Sequence, residues 1–189
     1  STSYVQPDPS RWTDAHVFIN NSYCIDPVSI GVATLDALDG NGSIYPGATL
    51  TPLTFNADVL SSRPINLAYP ASDSIYLSFY YQPEGYGLSP ESEDSLMVDF
   101  FEPDSSRWVN VWRTEGSALH EFRQVMIPIT RESFLKNGFR FRFRNRASLP
   151  SNPHYPDKRA NGDHWNVDYI MLDRLRSYSD TVLRDVAFT

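Results

Sequence analysis

The chain has 189 residues and a formal net charge of −7 at pH 7. This length allows one sizeable domain, and an apolar fraction of 41% is enough to build a hydrophobic core, which argues against disorder. The negative charge argues against a general nucleic-acid-binding protein, the single cysteine excludes an intramolecular disulfide, and no apolar run approaches the roughly 18 residues of a membrane span.

Alternating apolar and polar residues predict β-strands over most of the chain. The pattern is clearest in Phe139-Arg-Phe-Arg-Phe-Arg144, where the phenylalanines would face the core and the arginines the solvent. The other runs with this period are 74–81, 96–100, 108–112 and 125–129. Residues 165–172 are apolar on both faces and predict a more central strand. Because turn-forming residues separate these runs, we predict an all-β fold, an antiparallel β-sandwich of the jelly-roll type.

The sequence predicts one short helix and one long loop. Thr130 is a suitable N-cap for a helix over residues 131–137, and Gly138 can end it after about two turns. The 14 prolines argue against longer helices. Residues 147–163 form the loop before the last strong strand, and loops of this length are often functional.

We expect three parts along the chain. Residues 1–9 form an N-terminal arm, residues 10–176 the β-sandwich, and residues 177–189 a tail that leads into a following region. The chain begins without an initiator methionine or a signal-peptide segment, so we expect either a removed leader or a module of a longer protein.

Several segments resemble a family of jelly-roll domains by their order along the chain. They are 31–36, 39–42, 67–73, 77–81, 96–100, the Trp108/Trp112 strand, 139–145 and 163–173. Together they resemble the MAM-like jelly rolls of the concanavalin-like and galactose-binding-like β-sandwiches. They are most similar to N-terminal domains of large secreted Bacteroidetes surface proteins of the type IX secretion and gliding-associated kind. The resemblance implies a secreted or cell-surface, non-catalytic module, often with a structural calcium ion. The cysteines of vertebrate MAM domains are absent, so their adhesion function does not transfer.

A calcium site is one expectation, since calcium takes six to eight oxygen ligands. Asp36, Asp39 and Asn41 lie in and beside a glycine-containing turn. The resemblance implies that this turn lies near the last strand, where Asp163 or Asp168 would complete the shell. The alternative is a plain turn and an Asp168 that forms a hydrogen bond within the sheet. The spacing is not that of an EF-hand loop.

Arginines at alternate positions form a second candidate site. Arg140, Arg142 and Arg144, followed by Arg146, point the same way on a strand, about 7 Å apart. They suit an anionic ligand such as a sulfated or uronic polysaccharide, because guanidinium groups bind such anions through paired hydrogen bonds. The alternative is a solvated sheet face whose arginines pair with acids on neighbouring strands, such as Asp99.

Aromatic and histidine side chains form the third candidate. Tyr86 and Tyr155 lie in loops and, with His164, could contact a glycan or a surface protein. The alternative places the tyrosines at the rim of the core. Trp108 and Trp165 are expected inside the core. His154, Asp157, Asp163, His164 and Asp168 match no metalloenzyme motif, which argues against a metal hydrolase.

Catalytic patterns are weak in this sequence. A retaining glycosidase needs two carboxyl groups about 5–5.5 Å apart, but the nearest acidic segment, Glu91 to Asp94, is expected to be a solvated loop without a suitably placed third acid. We therefore predict a non-catalytic extracellular module, structural or adhesive, that binds a glycan or surface protein and does not insert into a membrane. It would be monomeric and hold calcium. A glycoside-hydrolase-like sandwich and a spacer that binds nothing are the alternatives.

Overall fold

The computed structural model describes residues 6–46, 48, 54–148 and 161–180, and these form ten strands and one short 3-10 turn. The strands are β1 (Phe18–Asn20), β2 (Val32–Leu35), β3 (Phe55–Ser61), β4 (Ile65–Asn66), β5 (Tyr76–Pro83), β6 (Ser95–Glu102), β7 (Arg107–Glu115), β8 (Arg123–Pro128), β9 (Asn137–Ala147) and β10 (Trp165–Asp173). The 3-10 turn spans Ala71–Asp73. No helix in the described ranges is long and apolar enough to cross a lipid bilayer.

Two antiparallel sheets pack face to face, which confirms the predicted β-sandwich. The first sheet has the strand order β1-β2-β10-β5-β8, and the second has the order β3-β9-β6-β7, with β4 paired to β9. The chain passes repeatedly from one sheet to the other, as in a jelly roll. β10 lies in the middle of the first sheet, as its apolar sequence predicted.

Alternation along the strands builds the core. Phe139, Phe141 and Phe143 of β9 are buried, whereas the arginines between them are only partly buried. Phe143 meets Phe79 of the opposite sheet edge to face, with ring centroids 4.9 Å apart. Trp165 is fully buried, as expected.

A β-bulge in β7 corrects the prediction for Trp108. Val98 of β6 pairs with Trp112, but the next residue, Asp99, pairs with Asn110, so β7 has one extra residue at this point. Trp112 therefore faces the core, where its ring lies 5.3 Å from that of Phe79. Without the bulge, tryptophans four residues apart would share a face. With it, Trp108 is on the outer face, and its placement in the core was wrong.

The helix predicted over residues 131–137 is also wrong. The segment forms a turn, in which the Phe134 N–H donates to the Arg131 carbonyl oxygen at 3.0 Å, and β9 begins at Asn137. Phe134 and Leu135 are both buried, which requires the chain to turn into the core rather than run along the surface as a helix. A two-turn helix also has few internal hydrogen bonds to offset the cost of nucleation.

The outer face of the first sheet is partly covered by chain segments. Gln82 forms two hydrogen bonds with the backbone of Ile25, at 2.8 and 3.0 Å, and thereby fixes the connection between β1 and β2 over the sheet. Arg176, which is buried, donates to the Ser78 hydroxyl at 2.6 Å and fixes the segment after β10. The outer face of the second sheet is different, since it presents charged and aromatic side chains of β6, β7 and β9.

Candidate functional site

One set of side chains, which we call the arginine face, lies on the outer side of the second sheet. Its members are Phe101 and Asp99 of β6, Trp108 and Asn110 of β7, and Arg140, Arg142, Arg144 and Arg146 of β9. The register places Asp99 opposite both Arg142 and Asn110, and Phe101 opposite both Arg140 and Trp108. The face therefore follows from three adjacent strands whose outward positions align.

Asp99 organises the centre of the arginine face. Its side chain is 2% exposed and accepts hydrogen bonds from Arg144 Nε at 2.6 Å and Arg142 Nε at 2.9 Å. Asn110 Nδ2 donates to the other carboxylate oxygen at 2.9 Å. Burial alone would raise the pKa of Asp99, but the hydrogen bonds from Arg144, Asn110 and Arg142 hold this pKa below its ordinary value. The ion pairing that the sequence offered as an alternative is thus present for two of the four arginines.

The other two arginines of the face form no salt bridge within the described residues. Arg140 donates to the Ser62 carbonyl oxygen at 3.1 Å and to the Thr13 hydroxyl at 3.2 Å. Arg146 donates to the Thr54 carbonyl oxygen at 3.5 Å. Four arginines against one aspartate leave the face with excess positive charge, although the whole chain is negative.

Trp108 forms an aromatic surface among these charges. The guanidinium of Arg142 lies 4.3 Å from the centroid of the Trp108 ring, and that of Arg140 lies 5.4 Å from it. The ring of Phe101 is 5.1 Å away on the neighbouring strand. Cation–π contacts of this kind hold both partners in one geometry. The half-buried Trp108 side chain therefore lies between positively charged donors at the surface.

Tyr86 and His164 lie in another region, where the β5–β6 loop contacts the start of β10. Tyr86 is 73% exposed, and its N–H donates to the Tyr23 carbonyl oxygen at 2.6 Å. His164 is buried, stacks on Tyr23 at 5.3 Å, and accepts a hydrogen bond at Nδ1 from the Leu88 N–H. Burial lowers the pKa of His164, so this ring supports the loop rather than facing solvent. Tyr155 lies outside the described residues.

The side chains proposed for calcium do not come together as one group. Asp39 accepts hydrogen bonds from the N–H groups of Asn41 and Ser43, both at 2.9 Å, within its turn. Asp36 accepts from Leu38 N–H and Asn161 Nδ2, both at 2.8 Å. Asp168 binds the β1–β2 connection instead, through the N–H groups of residues 28 and 29 at 2.7 and 2.9 Å. These carboxylates are already occupied by structural hydrogen bonds.

Asp163 belongs to a different group, which we call the acidic cluster: Glu91, Asp94 and Asp163. Ligand oxygens of the three carboxylates lie within 4.8 Å of one another. Asp94 and Asp163 are buried, at 0% and 1% exposure, whereas Glu91 is exposed. The expectation of a solvated loop without a third acid was therefore wrong. The position of Asp94 directly before the apolar run of β6 could have indicated that it is buried. No local sequence pattern, however, indicates that it lies next to Asp163.

Burial and crowding oppose ionisation in the acidic cluster. Burial raises the pKa of Asp94 to about 7, and the nearby Glu91 carboxylate adds to the effect. Burial and the charge of Asp94 raise the pKa of Asp163 to about 9. The pKa of Glu91 is lowered, because hydrogen bonds from Asp163 and Asp94 outweigh its own burial. The cluster thus needs protons or a cation to compensate its charge.

A separate groove of about 410 Å³ lies between the β1–β2 connection and the β7–β8 connection. It is lined by Ile25, Asp26, Gln82, Leu119, His120, Glu121 and Phe122. Two of these residues are acidic and none is a lysine or an arginine, so the groove has the opposite charge character to the arginine face.

Comparison with known proteins adds one similarity. No family model and no curated protein matches this chain. Among solved structures, the chain is similar to the X-ray crystal structure of a non-crystalline cellulose specific carbohydrate-binding module, CBM28, with a TM-score of 0.45 and 10% sequence identity. The match covers 83% of this chain and 79% of that one. The ligand of this chain therefore has to be inferred from its own side chains.

Proposed function

We propose that this chain is a non-catalytic module that binds an acidic polysaccharide, sulfated or uronic, through the arginine face. The observation that carries the proposal is the position of Trp108, half-buried and flanked by Arg140 and Arg142 on a positively charged sheet face. An aromatic ring offers a flat apolar surface to a sugar ring, and guanidinium groups donate to sulfate or carboxylate oxygens.

The face is arranged before a ligand arrives. Asp99 holds Arg142 through Nε, and the Nη groups of this guanidinium take no part in that hydrogen bond. Arg144 is also held mainly through Nε, and its Nη2 contact with Asp99 is long, at 3.4 Å. Side chains that are already ordered lose less conformational entropy on binding. The buried carboxylate therefore supports binding without contacting the ligand.

The row of arginines favours a polymer over a small anion. Alternate residues of one strand are about 7 Å apart, so Arg140 and Arg146 lie about 20 Å apart along β9. A chain with charges repeated along its length can contact several of them at once. Acidic polysaccharides of this kind occur outside cells, so the proposal includes a secreted or cell-surface module that acts as a monomer within a longer protein.

Calorimetric titration with three polymers tests this function: heparin as the sulfated polymer, polygalacturonate as the uronic polymer and hydroxyethyl cellulose as the neutral control. We expect binding to at least one acidic polymer, and a loss of at least about tenfold in affinity in Trp108→Ala, since central aromatic anchors dominate interfaces. Tyr86→Ala removes an exposed aromatic side chain away from the arginine face and should leave the affinity unchanged.

The same assay separates the alternatives. A spacer predicts that none of the three polymers binds, and binding lost in Tyr86→Ala but retained in Trp108→Ala would move the site to the β5–β6 loop. A glycoside hydrolase predicts release of reducing ends. Asp94 and Asp163 are buried, so a polymer at the surface does not reach both members of a catalytic pair in the acidic cluster.

A further inference from the structure

The acidic cluster lies where strands of both sheets meet. Asp94 directly precedes β6 and Ser148 directly follows β9, both in the second sheet, whereas Asp163 lies two residues before β10 in the first sheet. The Ser148 N–H donates to Asp163 Oδ2 at 2.6 Å, and its hydroxyl donates to Asp94 Oδ2 at 3.3 Å. Anything bound at the cluster would therefore connect three strand ends.

No basic side chain compensates these carboxylates in the part of the chain that the structure describes. None of the salt bridges there includes Glu91, Asp94 or Asp163. A buried carboxylate without a partner is strongly unfavourable when ionised, so it takes up a proton or binds a cation.

A second observation points to a ligand. Asp94 is fully buried, and its two oxygens differ: Oδ2 accepts hydrogen bonds from the Glu91 N–H at 2.8 Å and from Ser148, but Oδ1 has no hydrogen-bond partner. Buried polar atoms are rarely left unpaired in folded proteins. Asp94 belongs to the acidic cluster, so a cation bound there could use this oxygen as a ligand.

We infer that Glu91, Asp94 and Asp163 bind one divalent cation, and that this cation is calcium. The three ligand oxygens lie within 4.8 Å of one another, which is close enough for one ion to bind all of them. Calcium also accepts bidentate carboxylates and irregular geometry, whereas magnesium needs shorter bonds in near-ideal octahedral geometry. The ion would connect the segments that precede β6 and β10.

Thermal melts and calorimetry on the whole chain test the site. The protein is stripped with a chelator and measured at pH 7.5 in chelator, in 1 mM CaCl2 and in 1 mM MgCl2. We expect calcium to raise the melting temperature by about 5–10 °C if the ion is present at about a hundred times its dissociation constant, with a smaller effect of magnesium. Calorimetry should give one calcium ion per chain.

Two variants and one control locate the ion. Glu91→Gln changes an exposed side chain and should fold normally, yet it should abolish most of the calcium-dependent rise, as should Asp163→Asn. Asp39→Asn changes the turn that the sequence suggested as a calcium site, and it should retain the full rise. Identical melts of the unmodified chain in chelator and calcium would overturn the inference. So would a rise that survives in both cluster variants or disappears in Asp39→Asn.

Discussion

At the scale of single residues, one buried carboxylate determines the arrangement of a whole surface. Asp99 is almost completely buried beneath Arg142 and Arg144, whose side chains are 24% and 22% exposed. The two guanidinium groups share one oxygen, and the carboxylate is satisfied only because both arginines and Asn110 surround it. Asp99 therefore contributes to the stability of the fold and also fixes the positions of the surface arginines.

We expect Asp99→Asn to destabilise the protein by about 1–3 kcal/mol, since it removes charge-assisted hydrogen bonds and leaves two arginines without their counter-charge. The arginines are partly exposed, so water limits the loss. Asp104→Asn, in the exposed pair with Lys136, is the matched control and should have little effect. Urea denaturation of the two variants measures the difference, and equal stabilities would contradict the role given to Asp99.

The pH dependence of this difference has a definite sign. The pKa of Asp99 is lowered in the folded protein, so its ionised form is favoured there relative to the unfolded chain. The stability from this group is complete above its unfolded pKa of about 3.9 and is lost as the pH falls through the folded value. The gap between the unmodified chain and Asp99→Asn should therefore be constant from about pH 5 to 8 and close only in stronger acid.

At the scale of secondary-structure elements, the bulge in β7 separates two tryptophans that the sequence places at an even spacing. Trp112 packs against Phe79 and Tyr81 of the opposite sheet, both at 5.3 Å between ring centroids. Trp108 contacts Phe101 and arginines on the outside. Because of one extra residue in β7, Trp112 faces the core and Trp108 faces outward.

Truncation of each tryptophan tests this register. Trp112→Ala should lower the free energy of unfolding by about 3 kcal/mol, because it leaves a cavity between the sheets. Trp108→Ala should cost about 1 kcal/mol and keep the fold, since only outer contacts are lost. Urea denaturation followed by circular dichroism measures both. Equal losses, or a larger loss for Trp108→Ala, would contradict the bulge.

At the scale of the whole molecule, charge is separated between surfaces. The chain carries a net charge of −7, yet the arginine face has four arginines and one aspartate, and the acidic cluster collects carboxylates elsewhere. A polyanion is therefore repelled by most of the surface and attracted by one sheet face. Such steering depends on ionic strength, because salt screens exposed charges over about 10 Å at 0.1 M.

We expect heparin affinity to fall several-fold between 50 and 300 mM NaCl. Arg140→Gln should weaken both the binding and its dependence on salt, since this guanidinium forms no salt bridge among the described residues and can donate to an anion. Arg174→Gln removes an exposed arginine that pairs with Asp73 at 3.1 Å, directly after β10 in the first sheet, and should change neither. Affinity that is independent of salt would contradict a charge-driven interface.

The sequence by itself determined the six strands β5 to β10 and the faces of most of them, but it did not predict β1 to β4. Phenylalanine and arginine alternate in β9, and since side chains alternate across any strand, the inner and outer residues follow from the local pattern. The apolar sequence of β10 correctly predicted its central position, and the pairing with Asp99 that the sequence offered as an alternative is present for Arg142 and Arg144. The sequence prediction failed for residues 131–137, where helix-capping residues outweighed the burial of Phe134 and Leu135 that only the packed core requires.

Only the tertiary structure determined the register between β6 and β7 and the composition of the acidic cluster. Whether Trp108 faces inward depends on the bulge where β7 pairs with β6, and the sequence of β7 alone does not specify its partner. The acidic cluster joins Glu91 and Asp94 to Asp163 because β6 and β10 begin at the same place in space, although they belong to different sheets. Period and composition are local properties of a chain, whereas contacts between distant segments depend on how the two sheets pack.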